Sequence, residues 1–227
     1  MLKKTGQFML TKTIKNIATK TKSTYKFIKN KCLYRQIKST IDNNNVNVWR
    51  IFTHTTEEER IFLYKLGSSL PDNSAIVEIG SYLGASTCFL AAGCSCKGGH
   101  VYAVDTWENQ AMSEGLRDTY QEFLQNTADY KSNITPIRSF SVDAAQDFSQ
   151  LVDLLFVDGD HSYEGVMADL KAWLPKLKPK AWLVLHDIGW AEGVNQAIRE
   201  VVEPISCGKP TIFPNLYAVR VNAKTSF

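Results

Sequence analysis

From Ala75 onward the chain repeats one pattern, a short and nearly unbroken apolar run followed by a longer amphipathic one. Ala75–Ile79, His100–Asp105, Ile134–Arg138, Asp153–Asp158 and Ala181–His186 read as strands. Ala85–Ala92, Met112–Ala128, Ala144–Gln150, Tyr163–Trp173 and Val194–Val202 read as the helices between them. Strands that are apolar on both faces must be covered on both faces, which a mainly parallel sheet with crossover helices achieves. Thr211–Phe213 and Leu216–Val221 follow as two final strands, the last expected antiparallel.

The 74 residues before this pattern have a different character at each end. Thr56 followed by Glu59 predicts a capping box, with Glu57, Glu58 and Glu59 suited to a positive helix N-terminus. Ile61, Phe62, Leu63 and Leu66 continue that helix, and Gly67 is expected to close it in a left-handed conformation. Farther upstream the charge changes sign. Eleven of the 26 basic residues, and none of the 23 acidic ones, lie in residues 1–41, so the remainder carries a net −8. Asp42-Asn43-Asn44-Asn45 reads as a linker. The organisation predicted is a basic extension with its linker, residues 1–50, and one folded domain, residues 51–227.

The five cysteines show no zinc-ligand spacing, and Cys88 reads as a small core residue. No apolar run approaches the roughly 18 residues of a membrane span, and the N-terminus lacks a secretory apolar stretch. Reduced thiols and a cytoplasmic location are expected.

An open parallel sheet binds ligands beyond the carboxyl ends of its strands. The first strand there gives Glu78-Ile79-Gly80-Ser81-Tyr82-Leu83-Gly84-Ala85-Ser86-Thr87. Gly80 and Gly84 suit a tight loop lying against a ligand, and the N–H groups of Ala85–Thr87 open a helix that can receive a carboxylate. The second strand ends in Asp105, 21 residues after Gly84, placed to accept hydrogen bonds from both ribose hydroxyls of a nucleoside. A dinucleotide needs G-x-G-x-x-G for its pyrophosphate, whereas the pattern here is E-x-G-x-x-x-G. Glu78 suits a cationic amino group and repels a pyrophosphate. S-adenosylmethionine is therefore the expected cofactor, and the architecture a Rossmann-like α/β fold with seven strands and helices on both faces.

Val77-Glu78-Ile79-Gly80-Ser81, with Gly84, Ser86 and Thr87, resembles motif I of class I S-adenosylmethionine-dependent methyltransferases. Phe156-Val157-Asp158-Gly159-Asp160-His161-Ser162-Tyr163, then Asp169-Leu170 and Leu185-His186-Asp187, is similar to a narrower family. That family holds the macrocin- and mycinamicin-type sugar O-methyltransferases and cephalosporin-hydroxylase-like proteins, with catechol O-methyltransferase as a distant relative. The resemblance runs from about Thr55 to Val221. It implies methyl transfer to a hydroxyl of a small molecule, such as a sugar or glycoconjugate. It also implies that Asp158 and Asp187 hold Mg²⁺ and that His161, three residues beyond Asp158, is the general base. Ser139, Phe140 and Ser141 would contact the adenine, and Asp158 the cofactor as well. One position departs from the pattern: Ile188 stands where many relatives have Asp or Asn.

Two other classes of function compete. A catalytically degenerate cofactor-binding module fits the departure at Ile188, and an NAD(P)-dependent oxidoreductase fits the fold but not the loop. A third local reading makes Asp158 and Asp160 caps of the following helix, with His161 packed beside it. Trp107 and Trp190 lie after strand ends, where an acceptor pocket or plain packing would account for them. The basic extension reads first as a solvated tail, with contact to anionic membrane as the alternative and a likeness to an organellar transit peptide beside them. No nucleic-acid partner is expected, because the domain is net acidic and the extension has few aromatics. A homo-oligomer stays open.

Overall fold

The computed structural model describes Arg35, Ile37, Ser39, Ile41, residues 48–109 and residues 115–222. The chain divides into two compact units, Met1–Asn43 and Asn44–Phe227, with the boundary inside the expected linker. In the first unit the four described residues are helical, and the membrane expectation otherwise lies outside the described residues. The second unit opens with a 3-10 turn, Val48–Arg50.

Helix α1 (Glu57–Ser69) begins with the predicted box. The Glu59 N–H donates to the Thr56 hydroxyl at 3.3 Å, and the Thr56 N–H donates back to Glu59 Oε2 at 2.8 Å. Gly67 does not close the helix, which runs on to Ser69 with Leu70 extended at its end. A Cβ at Gly67 would stand 2.8 Å from the carbonyl oxygen of Leu90, and one at Gly93 would stand 2.3 Å from that of Tyr64. These glycines let α1 pack backbone to backbone on α2 (Ala85–Cys94).

The strands are β1 (Ala75–Ile79), β2 (His100–Asp105), β3 (Ile134–Arg138), β4 (Val152–Val157), β5 (Leu177–His186), β6 (Thr211–Ile212) and β7 (Leu216–Val221). They form one seven-stranded sheet in the order β3-β2-β1-β4-β5-β7-β6. The pairings from β3 to β5 are parallel; β7 is antiparallel to both β5 and β6. β1 lies between β2 and β4, so the chain reverses its direction of travel across the sheet there. That switch point is where a ligand crevice opens.

Alternation along the strands sorts the side chains. Val77, Ile79, Leu155, Val157, Leu183 and Leu185 join an apolar cluster with α4 (Ser141–Asp147), α5 (Tyr163–Trp173) and α6 (Glu192–Ala197). Glu78, Phe156 and His186 point to the opposite face, toward α1 and α2.

Some boundaries differ from expectation. Residues 115–119 are not helical, and α3 covers only Tyr120–Asn126. Asp118 accepts the Tyr120 N–H at 2.9 Å, and the Thr119 N–H donates to the Trp107 carbonyl at 2.9 Å, so local bonds hold that stretch out of a helix. β5 starts four residues early because Leu177 pairs with Val152 before an irregularity in the ladder. α6 continues through a π turn at Ile198–Val202 into Glu203–Ile205.

Candidate active site

Two cavities open at the carboxyl end of the sheet and share Gly80, Tyr82 and Asp158 as a wall. The larger, about 540 Å³, reaches from Asp105 to Ser139, Phe140, Ser141 and Asp169. The smaller, about 400 Å³, holds His161, Asp187, Trp190, Phe52, His54 and Asn215.

The glycines of the first loop serve the fold as much as a ligand. Gly80 has φ +83, and a Cβ there would lie 2.0 Å from the Asp158 carbonyl oxygen; Gly84 has φ +87 and faces Thr127 and Phe123. Both conformations favour glycine outright. Tyr82 between them also has positive φ, 44°. The Asp105 carboxylate holds it there, accepting the Tyr82 N–H at 2.8 Å and the Trp107 N–H at 2.7 Å. Burial raises the Asp105 carboxyl, and those backbone donors offset part of the rise. Gly84 caps α2 without a side-chain bond, which leaves the helix start open toward the smaller cavity, where Ser81, Ala85 and Ser86 stand.

Glu78 is fully buried and lines neither cavity. One carboxylate oxygen accepts the Thr87 hydroxyl, while Oε1 and the neighbouring Ser81 hydroxyl have no hydrogen-bond partner among the described residues. Burial pushes its pKa up to about 7, against hydrogen bonds that pull it down. Thr87 is buried with it. Phe140 is 58% exposed beside the larger cavity, as an adenine-stacking ring must be. Asp169, part of the family-like segment but given no role from the sequence, stands at that cavity's wall, and burial lifts its carboxyl to about 6.

On the other side, Asp158 follows β4 and Asp187 follows β5. His161 Nε2 lies 2.8 Å from Asp187 Oδ2, and Trp190 packs edge-on to the imidazole at 4.8 Å. The hydrogen bond to Asp187 raises the His161 pKa. Neither Asp158 nor Asp160 caps α5: Ser162 does, accepting the Gly165 N–H at 3.0 Å. His161 is therefore free of helix capping. Trp190 is 64% exposed at the cavity, whereas Trp107 is buried in the core against Tyr120 and Phe123.

Behind these groups lies His186, which is buried. Its Nδ1 is 3.1 Å from Asp158 Oδ1 and 3.3 Å from Asp187 Oδ1, and its Nε2 is 3.5 Å from Glu59 Oε2. Acceptors at both nitrogens call for both to carry protons. Burial opposes that charge, but the surrounding carboxylates outweigh burial and push the pKa up to about 12. Burial would likewise raise Asp187, yet bonds from His161 and His186 hold it well below the usual carboxylate range.

A divalent ion can be tested against this arrangement. Ligand atoms of Asp158, His161 and Asp187 lie within 4.8 Å of one another, a spacing that an ion accepts. The donor set does not fit one. Asp187 already receives Trp190 Nε1 at 2.8 Å, Asn215 Nδ2 at 2.9 Å, His161 at 2.8 Å and His186 at 3.3 Å. Trp190, Asn215 and His186 crowd Oδ1, and His161 stands on Oδ2, so an ion bound here would have to displace a donor. The Gly189 N–H donates to Asn215 Oδ1 at 3.0 Å, which fixes the amide with its NH₂ toward Asp187. Ile188 packs against the apolar cluster and offers nothing. The expected pair Asp158 and Asp187 is thus brought together, but around hydrogen-bond donors.

Glu59, Asn215, Phe52 and His54 were missed as site residues. Glu59 was legible as a cap and His186 as a strand end, but a contact 127 residues apart has no local signal. His54 stacks on Tyr82 at 6.4 Å and meets Phe52 edge-on.

Residues 77–188 match the family model described as a methyltransferase domain. That stretch is a methyltransferase domain. The fold around it is that of class I methyltransferases, and α1, with its Glu59, lies outside the match. An uncharacterized protein of Sinorhizobium fredii is 34% identical over 118 residues, covering 49% of this chain and 13% of that protein. An uncharacterized protein of Acanthamoeba polyphaga mimivirus is 26% identical over 146 residues, covering 61% and 63%. The chain spans less than two thirds of either relative's length. Among solved structures, an O-methyltransferase from Bacillus cereus in complex with SAH aligns with TM-score 0.56 and 16% identity, covering 83% of this chain and 90% of that one. An rRNA methylase from Streptococcus thermophilus aligns with TM-score 0.53 and 14% identity, covering 75% and 99%. At such identities the likeness is one of fold.

Proposed function

We propose that this methyltransferase domain moves a methyl group from S-adenosylmethionine to a hydroxyl of a small molecule, a sugar or glycoconjugate in the reading favoured here. The observation that carries it is the His161–Asp187 pair at 2.8 Å, in a cavity that shares a wall with the one bearing Asp105.

The residues present fit the cofactor. Asp105 keeps acceptor capacity for ribose hydroxyls beside its two backbone bonds, and Phe140 with Ser139 flanks the place for a base. The open start of α2 suits a carboxylate. The Ser81 hydroxyl, at the wall of the smaller cavity, suits the amino group. Bound there, S-adenosylmethionine supplies an electrophilic methyl group on sulfonium.

The chain's own work is to orient and to move a proton. Asp187 accepts from one ring nitrogen of His161, which fixes the tautomer and leaves the other nitrogen to take a proton from the acceptor hydroxyl. The same bond raises the His161 pKa, so the neutral, basic ring forms only as pH climbs past the ordinary imidazole value. Transfer should therefore increase with pH through that range. Phe52 and Trp190, both largely exposed at the cavity, and the polar Thr53 and Asn215 give the mixed aromatic and hydrogen-bonding wall that a sugar ring uses.

Methyl transfer from labelled S-adenosylmethionine to a panel of saccharides and phenols tests the reading. A saccharide is expected to accept the label, and His161→Ala is expected to depress kcat by roughly 10²–10⁴-fold with cofactor binding little changed. Undiminished transfer by His161→Ala would remove the base; label on phenols alone would remove the sugar.

A further inference from the structure

Asp158 and Asp187 lie close together, and something must do what an ion does in metal-assisted sites, which is to hold two like charges in one geometry. One side chain touches both. His186 Nδ1 lies 3.1 Å from Asp158 and 3.3 Å from Asp187, and its far nitrogen faces Glu59. We infer that His186, backed by Glu59, is the positioning residue of this site and stands in the place of a metal, fixing Asp158 and Asp187 from the buried side.

The parts are independently anchored. Glu59 is held by the Thr56 N–H and the Thr56 hydroxyl, both at 2.8 Å, so its carboxylate is set by the cap of α1 before it meets the ring. His186 ends β5 on the face that α1 covers, paired with Leu216 on β7. Phe156 meets the imidazole edge-on at 6.4 Å. An ion would approach Asp158 and Asp187 from the cavity; the imidazole approaches from underneath, where solvent does not reach. Ile188, turned into the apolar cluster, agrees with a site that has no third oxygen ligand to offer.

The inference rests on the proposed transfer site only in taking Asp158 and Asp187 as its carboxylates. It also gives α1, outside the matched domain, a direct part in the site. Second-sphere groups of this kind commonly set the orientation of the groups that touch the reactants.

Mn²⁺ alone is the probe, titrated against the full chain and followed by electron paramagnetic resonance, with S-adenosylmethionine titrated in parallel. The native chain is expected to bind no stoichiometric Mn²⁺ at this site. His186→Ala opens the space beneath both carboxylates and is expected to bind one equivalent of Mn²⁺ where the native chain binds none, a gain that a second change, Asp187→Asn, abolishes. Where His186→Ala does not melt cooperatively, His186→Gln is read instead, and the gain is expected there. Stoichiometric Mn²⁺ on the native chain that disappears in Asp158→Asn would overturn the inference, as would folded variants that gain none. Loss of S-adenosylmethionine binding by the native chain would instead strike the functional reading, so the two failures are told apart.

Discussion

The two sides of the switch point are built on opposite plans. On the β1–β2 side the polar groups are backbone N–H groups and two carboxylates: the half-buried Asp105 braces the loop, and the buried Glu78 lies beneath it. On the β4–β5 side the side chains bond to one another, with His161, His186, Trp190 and Asn215 converging on Asp187. A frame made from backbone can be specified by a few residues near in sequence. A frame made from side chains must be gathered from the whole chain. That difference tells where each half breaks.

The largest effect is expected where the two halves meet. Gly80→Ala would put a Cβ 2.0 Å from the Asp158 carbonyl oxygen at a φ of +83, so β1 and β4 must part locally. The cost should be about 3 kcal/mol or more, read as a drop in thermal midpoint. A near-native midpoint would mean that the halves are not pinned at this glycine.

A smaller effect separates the halves by pH. Burial lifts Glu78 to about 7 from an ordinary 4.5, so the folded chain holds this proton more tightly than the unfolded one. Its stabilising share is complete below about pH 4.5, falls as pH rises toward 7 and is absent above that. Glu78→Gln should be free of this loss, gaining on the native chain by on the order of 1–3 kcal/mol between pH 4.5 and 8. Parallel stability curves for the two proteins across that range would refute the assignment.

The same contrast explains what the sequence disclosed. β1, β2, β3 and β7 have the expected ends, because apolar runs and turn residues mark them locally. The capping box at Thr56 was equally local. Gly67 misled because a glycine near a helix end serves either a left-handed cap or close helix packing, and only the presence of Gly93 opposite decides. The residues after β3 misjudged α4 by three positions, since the extended Phe140 starts the helix at Ser141. In the site, Asp105 was expected from a strand end and its separation from Gly84, whereas Asp158 and His161 were expected only from the family resemblance. The metal expectation came from resemblance, and Asn215 and Trp190, whose donors no motif records, weigh against it. Glu59 belongs to a different element and a different face, and its link to His186 exists only once the sheet has formed.

The central claim is that the β1–β2 half receives S-adenosylmethionine. Calorimetric titration of the native chain and of Asp105→Ala with S-adenosylmethionine and with NAD⁺ tests it most directly. The native chain should bind S-adenosylmethionine at one site and NAD⁺ not at all, and Asp105→Ala should weaken that binding by roughly 10–100-fold, the loss of hydrogen bonds to a charged group. Binding of NAD⁺ without S-adenosylmethionine would contradict the account, and unchanged affinity in Asp105→Ala would move the ribose elsewhere.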